Sequence, residues 1–203
     1  MHASEYGQSK WLAENVFSGK TGGVFAECGA LDGLQDSNSL YFEHDMAWTG
    51  LLIEANPRML LPLAKNRPNC FKRICALSDQ EGEAEFFMVP GIYYGWSGLA
   101  RYPGVRRPGM RMEPVTVPCE TLESVMLDYG MDHCDYLSID LEGAEYDVLR
   151  VFPFDKIHID VIGVEDNTNN NLALSELLTG AGYTYLNRVG VDNFWRKSGG
   201  RHS

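Results

Sequence analysis

Basic residues are scarce in this 203-residue chain. Its 17 lysines and arginines are outnumbered by 28 aspartates and glutamates, which gives a formal net charge of -11 at pH 7. Proteins that bind nucleic acid generally do so by neutralising phosphates with a basic surface. We therefore expect no nucleic-acid partner.

Paired cysteines are also missing. The cysteines are odd in number, scattered, and without a Cys-x-x-Cys pair: Cys28, Cys70, Cys75, Cys119 and Cys134. This pattern argues against a disulfide framework and against a zinc site made of thiolates. It fits a reducing compartment.

Long apolar runs are the third absence. No stretch approaches the length of a membrane span, and nothing near the start resembles a secretory signal. We therefore expect a cytoplasmic protein without a membrane span. With 44% hydrophobic residues, the chain can bury one sizeable core, so we expect a single domain over residues 1–203 that ends in a flexible tail at 198–203.

Apolar runs typical of buried strands alternate with segments of helical spacing. The predicted helices cover residues 4–17, 36–45, 57–66, 121–129, 145–151 and 172–181. The predicted strands cover residues 24–28, 48–54, 70–77, 83–89, 135–139 and 159–164, and a hairpin covers 183–196. Such alternation indicates a mostly parallel sheet with helices on both faces. The closing hairpin adds an antiparallel edge.

The turn after the first strand has the spacing Glu27-x-Gly29-x-x-x-Gly33. It lacks the Gly-x-Gly-x-x-Gly fingerprint that places a pyrophosphate on a helix N-terminus. Its acids, Glu27 and Asp32, would repel a pyrophosphate but suit a ligand that carries an amino group and a sulfonium. The glycines let backbone and ligand approach closely.

Acids recur where later strands end, at Glu54, Asp79, Asp140 and Glu165. In open α/β sheets, ligands bind in the crevice outside the carboxyl ends of the strands. We therefore expect these acids to line one crevice together with those of the first turn.

Three motifs in order carry a family resemblance. They are Glu27-x-Gly29-Ala30-x-Asp32-Gly33, Ser37-Asn38-Ser39-Leu40-Tyr41-Phe42-Glu43 and Trp48-x-Gly50-Leu51-x-Ile53-Glu54-x-Asn56-Pro57, with further matches at 76–79, 136–145 and 154–156. Together they resemble the FkbM family of S-adenosylmethionine-dependent methyltransferases. The resemblance implies an α/β, Rossmann-like class I methyltransferase fold. That fold has a seven-stranded, mostly parallel sheet with one antiparallel strand near its edge and helices on both faces.

The resemblance also implies a set of residues for S-adenosylmethionine. Glu27 would hold the ammonium group of the cofactor, Glu54 the ribose hydroxyls, and Asp79 the adenine amino group. A carboxylate suits the ribose because it has two acceptor oxygens. The remaining members of the predicted set are Gln8, Gly29, Ala30, Asp32, Gly33, Asn38, Ala55, Asn56, Ala76, Leu77, Ser78 and Asp140.

Methyl transfer to a hydroxyl requires that its proton be removed or its pKa lowered. Asp140, Asp166 and Asn167 are similar to the magnesium ligands of catechol-type methyltransferases, and a bound Mg²⁺ would acidify the hydroxyl. In the metal-free alternative, Asp140 or Glu142 is the general base. The predicted catalytic set is thus Asp140, Glu142 and Asp166. Glu142 also fits a simple role in capping the next helix.

Residues 88–114 combine glycines and prolines with aromatic residues and arginines. We expect an acceptor-binding loop for a glycosyl or anionic substrate, with Trp96, Arg101, Arg106 and Arg107 in contact with it, because aromatic rings stack on sugars and arginines pair with anions. The same composition also fits a solvated surface loop. The histidines at 133 and 158 are expected to be ordinary residues of connecting segments.

The sequence thus predicts a methyltransferase that uses S-adenosylmethionine, possible Mg²⁺ as a second cofactor, and O-methylation of a carbohydrate or other small molecule. N-methylation stays open. A nicotinamide-dependent oxidoreductase on a similar sheet is one alternative, although the glycine fingerprint is absent. A non-catalytic nucleotide- or partner-binding module is the other.

Overall fold

A computed structural model describes residues 4–106, 108–167 and 172–199. The six α-helices in these ranges are α1 Gln8–Asn15, α2 Leu40–Met46, α3 Leu60–Asn66, α4 Leu122–Asp128, α5 Glu145–Arg150 and α6 Leu172–Gly180. Short 3₁₀ turns cover Pro57–Met59, Gly91–Trp96 and Pro103–Val105. The eleven strands are β1 Val24–Cys28, β2 Thr49–Glu54, β3 Phe71–Ile74, β4 Ala76–Leu77, β5 Gly82–Met88, β6 Gly98–Leu99, β7 Glu113–Glu120, β8 His133–Ile139, β9 His158–Glu165, β10 Tyr183–Val189 and β11 Asp192–Lys197.

Seven strands form one large sheet in the order β10-β11-β9-β8-β1-β2-β3. All the neighbours from β9 to β3 are parallel, whereas β11 runs antiparallel to both β9 and β10. The predicted sheet, with one antiparallel strand near its edge, is therefore confirmed. Tyr185 and Asn187 flank a register shift in the closing hairpin.

Helices cover both faces of this sheet, as predicted. Along β1, Phe25 packs in a cluster with Leu12 of α1 and Phe42 of α2. The next residue, Ala26, packs on the other face in a cluster with Val125 of α4 and Val148 of α5. A strand that is buried on both faces can be apolar throughout, which explains the continuous hydrophobic run that made β1 easy to predict.

A second sheet, in the order β4-β7-β5-β6, was not predicted. The predicted strand over 70–77 is in fact two strands. The first, β3, pairs with β2, whereas β4 pairs with β7 in the second sheet. Strand β7 escaped prediction because Pro114 and Pro118 lie within it, and proline demotes a segment as a strand candidate. Residues 88–114 contain β6 and two of the 3₁₀ turns.

All five cysteines are buried and unpaired, in agreement with the predicted absence of a disulfide framework. Burial raises the pKa of the Cys70 thiol to about 12, and it also raises the pKa of the other four thiols. Buried neutral thiols react slowly, because the thiolate is the reactive form. None of the helices in the described ranges has the length and apolar character that a membrane crossing requires.

A fully buried arginine, Arg67, fixes the segment that follows β1. It lies at the end of α3, and its Nε donates to Glu43 of α2. Its Nη1 donates to the Gly33 carbonyl at 3.0 Å and to Ser37 Oγ at 3.1 Å, while Nη2 donates to Ser39 Oγ at 3.0 Å. One guanidinium therefore joins α3, α2 and the turn of β1.

The same network encloses Glu27, which is buried at the end of β1. Its carboxylate accepts from Ser37 Oγ at 2.9 Å, from Ser39 Oγ and from the Asn38 backbone N–H at 2.6 Å. Arg67 Nη1 lies 3.8 Å from it. The buried carboxylate of Glu27 and the largely buried carboxylate of Glu43 thus share one buried cation.

Replacing Arg67 with methionine should lower the free energy of unfolding by about 3–5 kcal/mol, because it would leave the buried Glu27 and the largely buried Glu43 without a counter-charge. Chemical denaturation would measure the loss. The matched control is Arg58→Met, since Arg58 makes an exposed ion pair with Glu113 and its loss should cost less than about 1 kcal/mol. Equal losses in the two variants would contradict the role assigned to Arg67.

Candidate active site

A cavity lies at the carboxyl ends of the central strands. Gly29 follows β1, Glu54 ends β2 and Asp140 follows β8, and all three line it. Since β1 is hydrogen-bonded to both β2 and β8, the three loops converge at one edge of the sheet. We call this space the inner cavity.

Gly29 is required where the loops after β1 and β8 touch. Its φ is +87°, and a Cβ at this position would lie 2.0 Å from the Asp140 carbonyl oxygen. The Asp140 backbone N–H in turn donates to the Cys28 carbonyl at 3.1 Å. Only glycine permits this approach of the two backbones.

The carboxylate of Glu54 is held in the inner cavity by backbone donors. One oxygen accepts from the Leu31 N–H at 2.9 Å and the other from the Asn56 N–H at 2.6 Å. Burial raises the pKa of Glu54, although these backbone hydrogen bonds act in the opposite direction. Each oxygen retains acceptor capacity, so the carboxylate can receive two further donors in a fixed orientation.

Apolar residues from both sheets form the rest of the inner cavity. Ile53 and Ala55 line it from the side of the large sheet, and Ala76, Leu77, Phe86 and Leu99 line it from the second sheet. The arrangement places apolar side chains next to a two-oxygen acceptor. That combination fits a nucleoside, whose ring is apolar on its faces and whose ribose carries paired hydroxyls.

An open cleft of about 720 Å³ adjoins the inner cavity, and we call it the outer cleft. Its lining is acidic and aromatic, and lysine and arginine are absent from the described residues that form it. The acids are Glu5, Glu142, Glu145, Glu165 and Asp166, and the aromatic residues are Tyr6, Trp96, Tyr102 and Tyr146.

The two spaces meet at Glu142, which lines both of them. Glu142 has a φ of +55°, an uncommon conformation for a residue with a side chain. On the opposite side, Ser97 lines the inner cavity and its neighbour Trp96 lines the outer cleft. Glu142 and the pair Trp96–Ser97 therefore lie at the boundary between the cavity and the cleft.

Three carboxyl groups cluster beside this junction. Asp140, Glu145 and Glu165 each place an oxygen within 4.8 Å of the others. Burial raises the pKa of Asp140 well above its usual range, and the nearby charges of Glu165 and Glu142 add to the effect, as does a hydrogen bond between the carboxyl groups of Asp140 and Glu165. Asp140 is therefore a carboxyl group with an enhanced affinity for a proton.

Glu145 positions the loop that carries Glu142. Its Oε1 accepts from the backbone N–H of Leu141 at 2.8 Å and of Gly143 at 3.1 Å. Burial also raises the pKa of Glu145, again against its backbone hydrogen bonds. This local role for Glu145 agrees with its place in the first turn of α5.

The structure places the predicted cofactor residues in two groups. The group that lines the inner cavity comprises Gly29, Glu54, Ala55, Ala76, Leu77 and Asp140. The group behind or beyond that lining comprises Gln8, Glu27, Ala30, Asp32, Gly33, Asn38, Asn56, Ser78 and Asp79.

Glu27 and Asp32 have environments that differ from the predicted ones. The oxygens of Glu27 are engaged by the serine and backbone donors described above, away from the inner cavity. Asp32 Oδ1 accepts from the backbone N–H of Leu34 and of Gln35, each at 2.9 Å, and so shapes its own turn. A Cβ at Gly33 would lie 2.6 Å from Arg67 Cγ, so this glycine makes room for the buried arginine.

Gln8 and Asn38 meet at a buried acid, Asp192 of β11. Gln8 Nε2 donates to Asp192 Oδ2 at 2.9 Å, and Asn38 Nδ2 lies 3.5 Å from the same oxygen. Burial raises the pKa of Asp192 to about 6, although the hydrogen bond from Gln8 lowers it. Gln8 also accepts from the Tyr6 backbone N–H at 2.8 Å, which anchors one wall of the outer cleft.

Asp79 and Arg101 pair with each other outside both spaces. Their ion pair measures 3.1 Å, and Arg150 binds the other oxygen of Asp79. Burial would raise the pKa of Asp79, but hydrogen bonds from Arg101 and Ser78 lower it. Arg101 also donates to Tyr102 Oη at 2.9 Å, so it holds the position of an aromatic side chain that lines the outer cleft.

Of the remaining predicted substrate residues, Trp96 lines the outer cleft and Arg106 does not. Trp96 stacks on Tyr93, with ring centroids 4.7 Å apart. The guanidinium of Arg106 lies over the Phe87 ring, 5.0 Å from its centroid, and away from the cleft. Arg107 lies outside the described residues.

The predicted magnesium ligands are not grouped as expected. Among the described residues, Asp140 clusters with Glu145 and Glu165, and that cluster does not include Asp166. Asp166 and Asn167 line the outer cleft, where the Asp166 carboxylate lies 3.4 Å from Asn193 Nδ2. Neither this arrangement nor the similar proteins described next support the predicted magnesium.

The chain is similar in fold to several solved structures of methyltransferases. The chain is similar to a methyltransferase FkbM from Methylobacillus flagellatus KT, with 10% identity, a TM-score of 0.59, and coverage of 93% of this chain and 47% of that one. It is also similar to a precorrin-6y C5,15-methyltransferase from Geobacter metallireducens GS-15 (12% identity, TM-score 0.51, coverage 94% and 87%). A third similar protein is the fibrillarin of Aeropyrum pernix (14% identity, TM-score 0.50, coverage 96% and 74%). The fold is that of a class I methyltransferase, and the chain spans about half the length of the FkbM protein.

The family follows from the sequence match. A family model described as the methyltransferase FkbM domain matches residues 27–185, well over half of the chain. The chain therefore belongs to the FkbM methyltransferase family, as the motifs predicted. No protein of curated function matches it.

Proposed function

We propose that the chain is an S-adenosylmethionine-dependent O-methyltransferase. The observation that carries the proposal is the junction at Glu142, beside Asp140, where a cavity suited to a nucleoside meets an open cleft suited to an acceptor. Methyl transfer requires two substrates to meet at one point, and these two spaces provide that point. The similar fibrillarin was solved with natively bound S-adenosyl-L-methionine, which supports the choice of cofactor.

The residues of the inner cavity fit the cofactor. Glu54 would accept hydrogen bonds from the two ribose hydroxyls, and Ala76 and Leu77 would contact the adenine ring. Gly29 has no Cβ, so it leaves room beside the backbone for the methionine part of the cofactor. When bound, the cofactor supplies an electrophilic methyl group on a sulfonium.

Asp140 would act as the general base. Its raised pKa gives it a strong affinity for the acceptor proton once it is ionised, and the Glu165 carboxylate, which lies within 4.8 Å, contributes to that affinity through its charge. Glu142, at the junction, would orient the acceptor hydroxyl by accepting a hydrogen bond. Since a carboxylate base removes the need for a metal to acidify the hydroxyl, we favour the metal-free mechanism.

The charge of the outer cleft bears on the acceptor. Acids line it, and Arg101 and Arg106 lie outside it, so an anionic acceptor would meet repulsion. Aromatic side chains with nearby carboxylates suit a carbohydrate, because rings stack on sugar faces and carboxylates accept from hydroxyls. We therefore propose a neutral or cationic polyhydroxylated acceptor.

Glu54→Gln should weaken S-adenosylmethionine binding roughly tenfold or more, because the amide retains only one acceptor oxygen for the ribose. Calorimetric titration would measure the change, and Glu85→Gln, an exposed acid on β5, is the matched control. Titration of NAD tests the oxidoreductase alternative. Tight binding of NAD and none of S-adenosylmethionine would overturn the assigned cofactor.

Turnover should fall as the pH drops through the raised pKa of Asp140, since a general base acts only when ionised. Glu165→Gln removes a charge and a hydrogen bond that raise this pKa, so the acid limb of the profile should move to lower pH. Asp140→Asn should lower kcat by roughly 10²–10⁴-fold. S-adenosylhomocysteine release across an acceptor panel gives the rates, and an unmoved acid limb in Glu165→Gln would exclude Asp140 as the base.

Acceptor binding should follow charge. Among the matched sugars glucosamine, glucose and glucuronate, we expect glucuronate to bind weakest and glucosamine tightest, with differences that shrink as salt is added. Ligand-observed NMR in the presence of S-adenosylhomocysteine would rank them. If glucuronate binds best, then the acidic cleft is not the acceptor site.

A further inference from the structure

Two histidines lie side by side at the end of the large sheet opposite the inner cavity. His133 is the first residue of β8 and His158 the first of β9, and the two are register partners in a parallel pair. The sequence suggested ordinary residues of connecting segments. The strands instead extend to include them, which fixes both side chains on one edge of the sheet.

Both imidazoles face one carboxylate. His158 Nε2 lies 2.8 Å from Asp160 Oδ1, and His133 Nε2 lies 3.6 Å from Asp160 Oδ2. The rings stack with centroids 5.6 Å apart and an interplanar angle of 15°. One ligand atom from each of the three side chains lies within 4.8 Å of the others.

We propose that His133, His158 and Asp160 bind a divalent transition-metal cation, with Zn²⁺ as the reference ion. Two imidazole nitrogens and one carboxylate oxygen form a recognised zinc ligand set, which leaves a fourth position for water. Bond lengths of about 2.0–2.2 Å would draw the three ligand atoms closer together. The shift is small for side chains that are 44%, 42% and 22% exposed.

The surroundings favour Asp160 over the other nearby acid as the third ligand. Asp135 Oδ1 lies 3.8 Å from His133 Nε2, but its carboxylate is buried and already binds Lys20 Nζ at 2.6 Å and the Val24 backbone N–H at 2.6 Å. Asp160 carries no such cationic partner among the described contacts apart from the two histidines.

Nitrogen ligands also define which cations fit. Imidazole suits zinc, copper, nickel and iron, whereas Mg²⁺ prefers oxygen ligands. A cation here would join β8 to β9, far from the methyl-transfer junction, so we assign it a stabilising effect and no part in the reaction. Ligand binding to the folded state alone raises stability.

The test is a titration of Zn²⁺ into metal-free protein, competed against a chromophoric chelator. We expect one bound ion per chain that excess Mg²⁺ does not displace. His158→Ala and Asp160→Asn should each weaken binding roughly tenfold or more. The matched control is His44→Ala, which removes an exposed histidine elsewhere and should leave the affinity unchanged.

Far-ultraviolet circular dichroism would verify that each variant is folded. The expected absorption of tetrahedral Co²⁺ in the wild type, and its loss in His158→Ala, gives a readout independent of affinity. Absence of binding by the folded wild type would overturn the proposal. Equal affinity in the His158→Ala variant and in the His44→Ala control would do so as well.

Discussion

The charge balance around Arg67 is the constraint on which the cofactor side of the molecule depends. Burying a carboxylate without a partner is costly, and this chain buries Glu27 at the end of its central strand and largely buries Glu43 on α2. One guanidinium lies against both carboxylates and also holds the backbone of the turn after β1. Removing Arg67 would leave both carboxylates without a counter-charge.

The contacts of Arg67 also influence the inner cavity, because they fix the backbone that holds Glu54. Because Arg67 and Asn66 hold the carbonyls of Gly33 and Asp32, the turn after β1 has a fixed path. The turn then presents the Leu31 N–H to Glu54, which orients that carboxylate toward the cavity. A structural ion network thus determines the direction of the residue proposed to bind ribose.

Much of the large sheet could be predicted, because its strands are buried on both faces and read as continuous apolar runs. Strand β1 was predicted residue for residue at 24–28. The small sheet could not be predicted, for two reasons. The prolines within β7 made it a poor strand candidate. The change of sheet at Cys75, between β3 and β4, depends on long-range strand pairing that leaves no local sequence pattern.

The site shows the same division. Gly29, Glu54 and Asp140 were predictable because each directly follows or ends a recognisable strand. The cleft residues Tyr6 and Tyr146 were missed, because they come from segments without a strand-end signal and meet only through packing. Arg67 was missed as well, since a single arginine after a helix is indistinguishable in sequence from an exposed one.

The strand that changes sheets has a consequence for the order of binding. The Cys75 N–H still bonds to the Glu54 carbonyl at 3.0 Å, whereas Ala76 already pairs with Cys119 of the second sheet. A ligand in the inner cavity would therefore touch both sheets and add its binding energy to their cohesion. The second sheet also carries the segment with Trp96, which lines the outer cleft. A ligand in the inner cavity would therefore reduce the mobility of that side of the cleft. If S-adenosylmethionine fills the inner cavity as proposed, it would complete the surface that the acceptor meets and would therefore bind first.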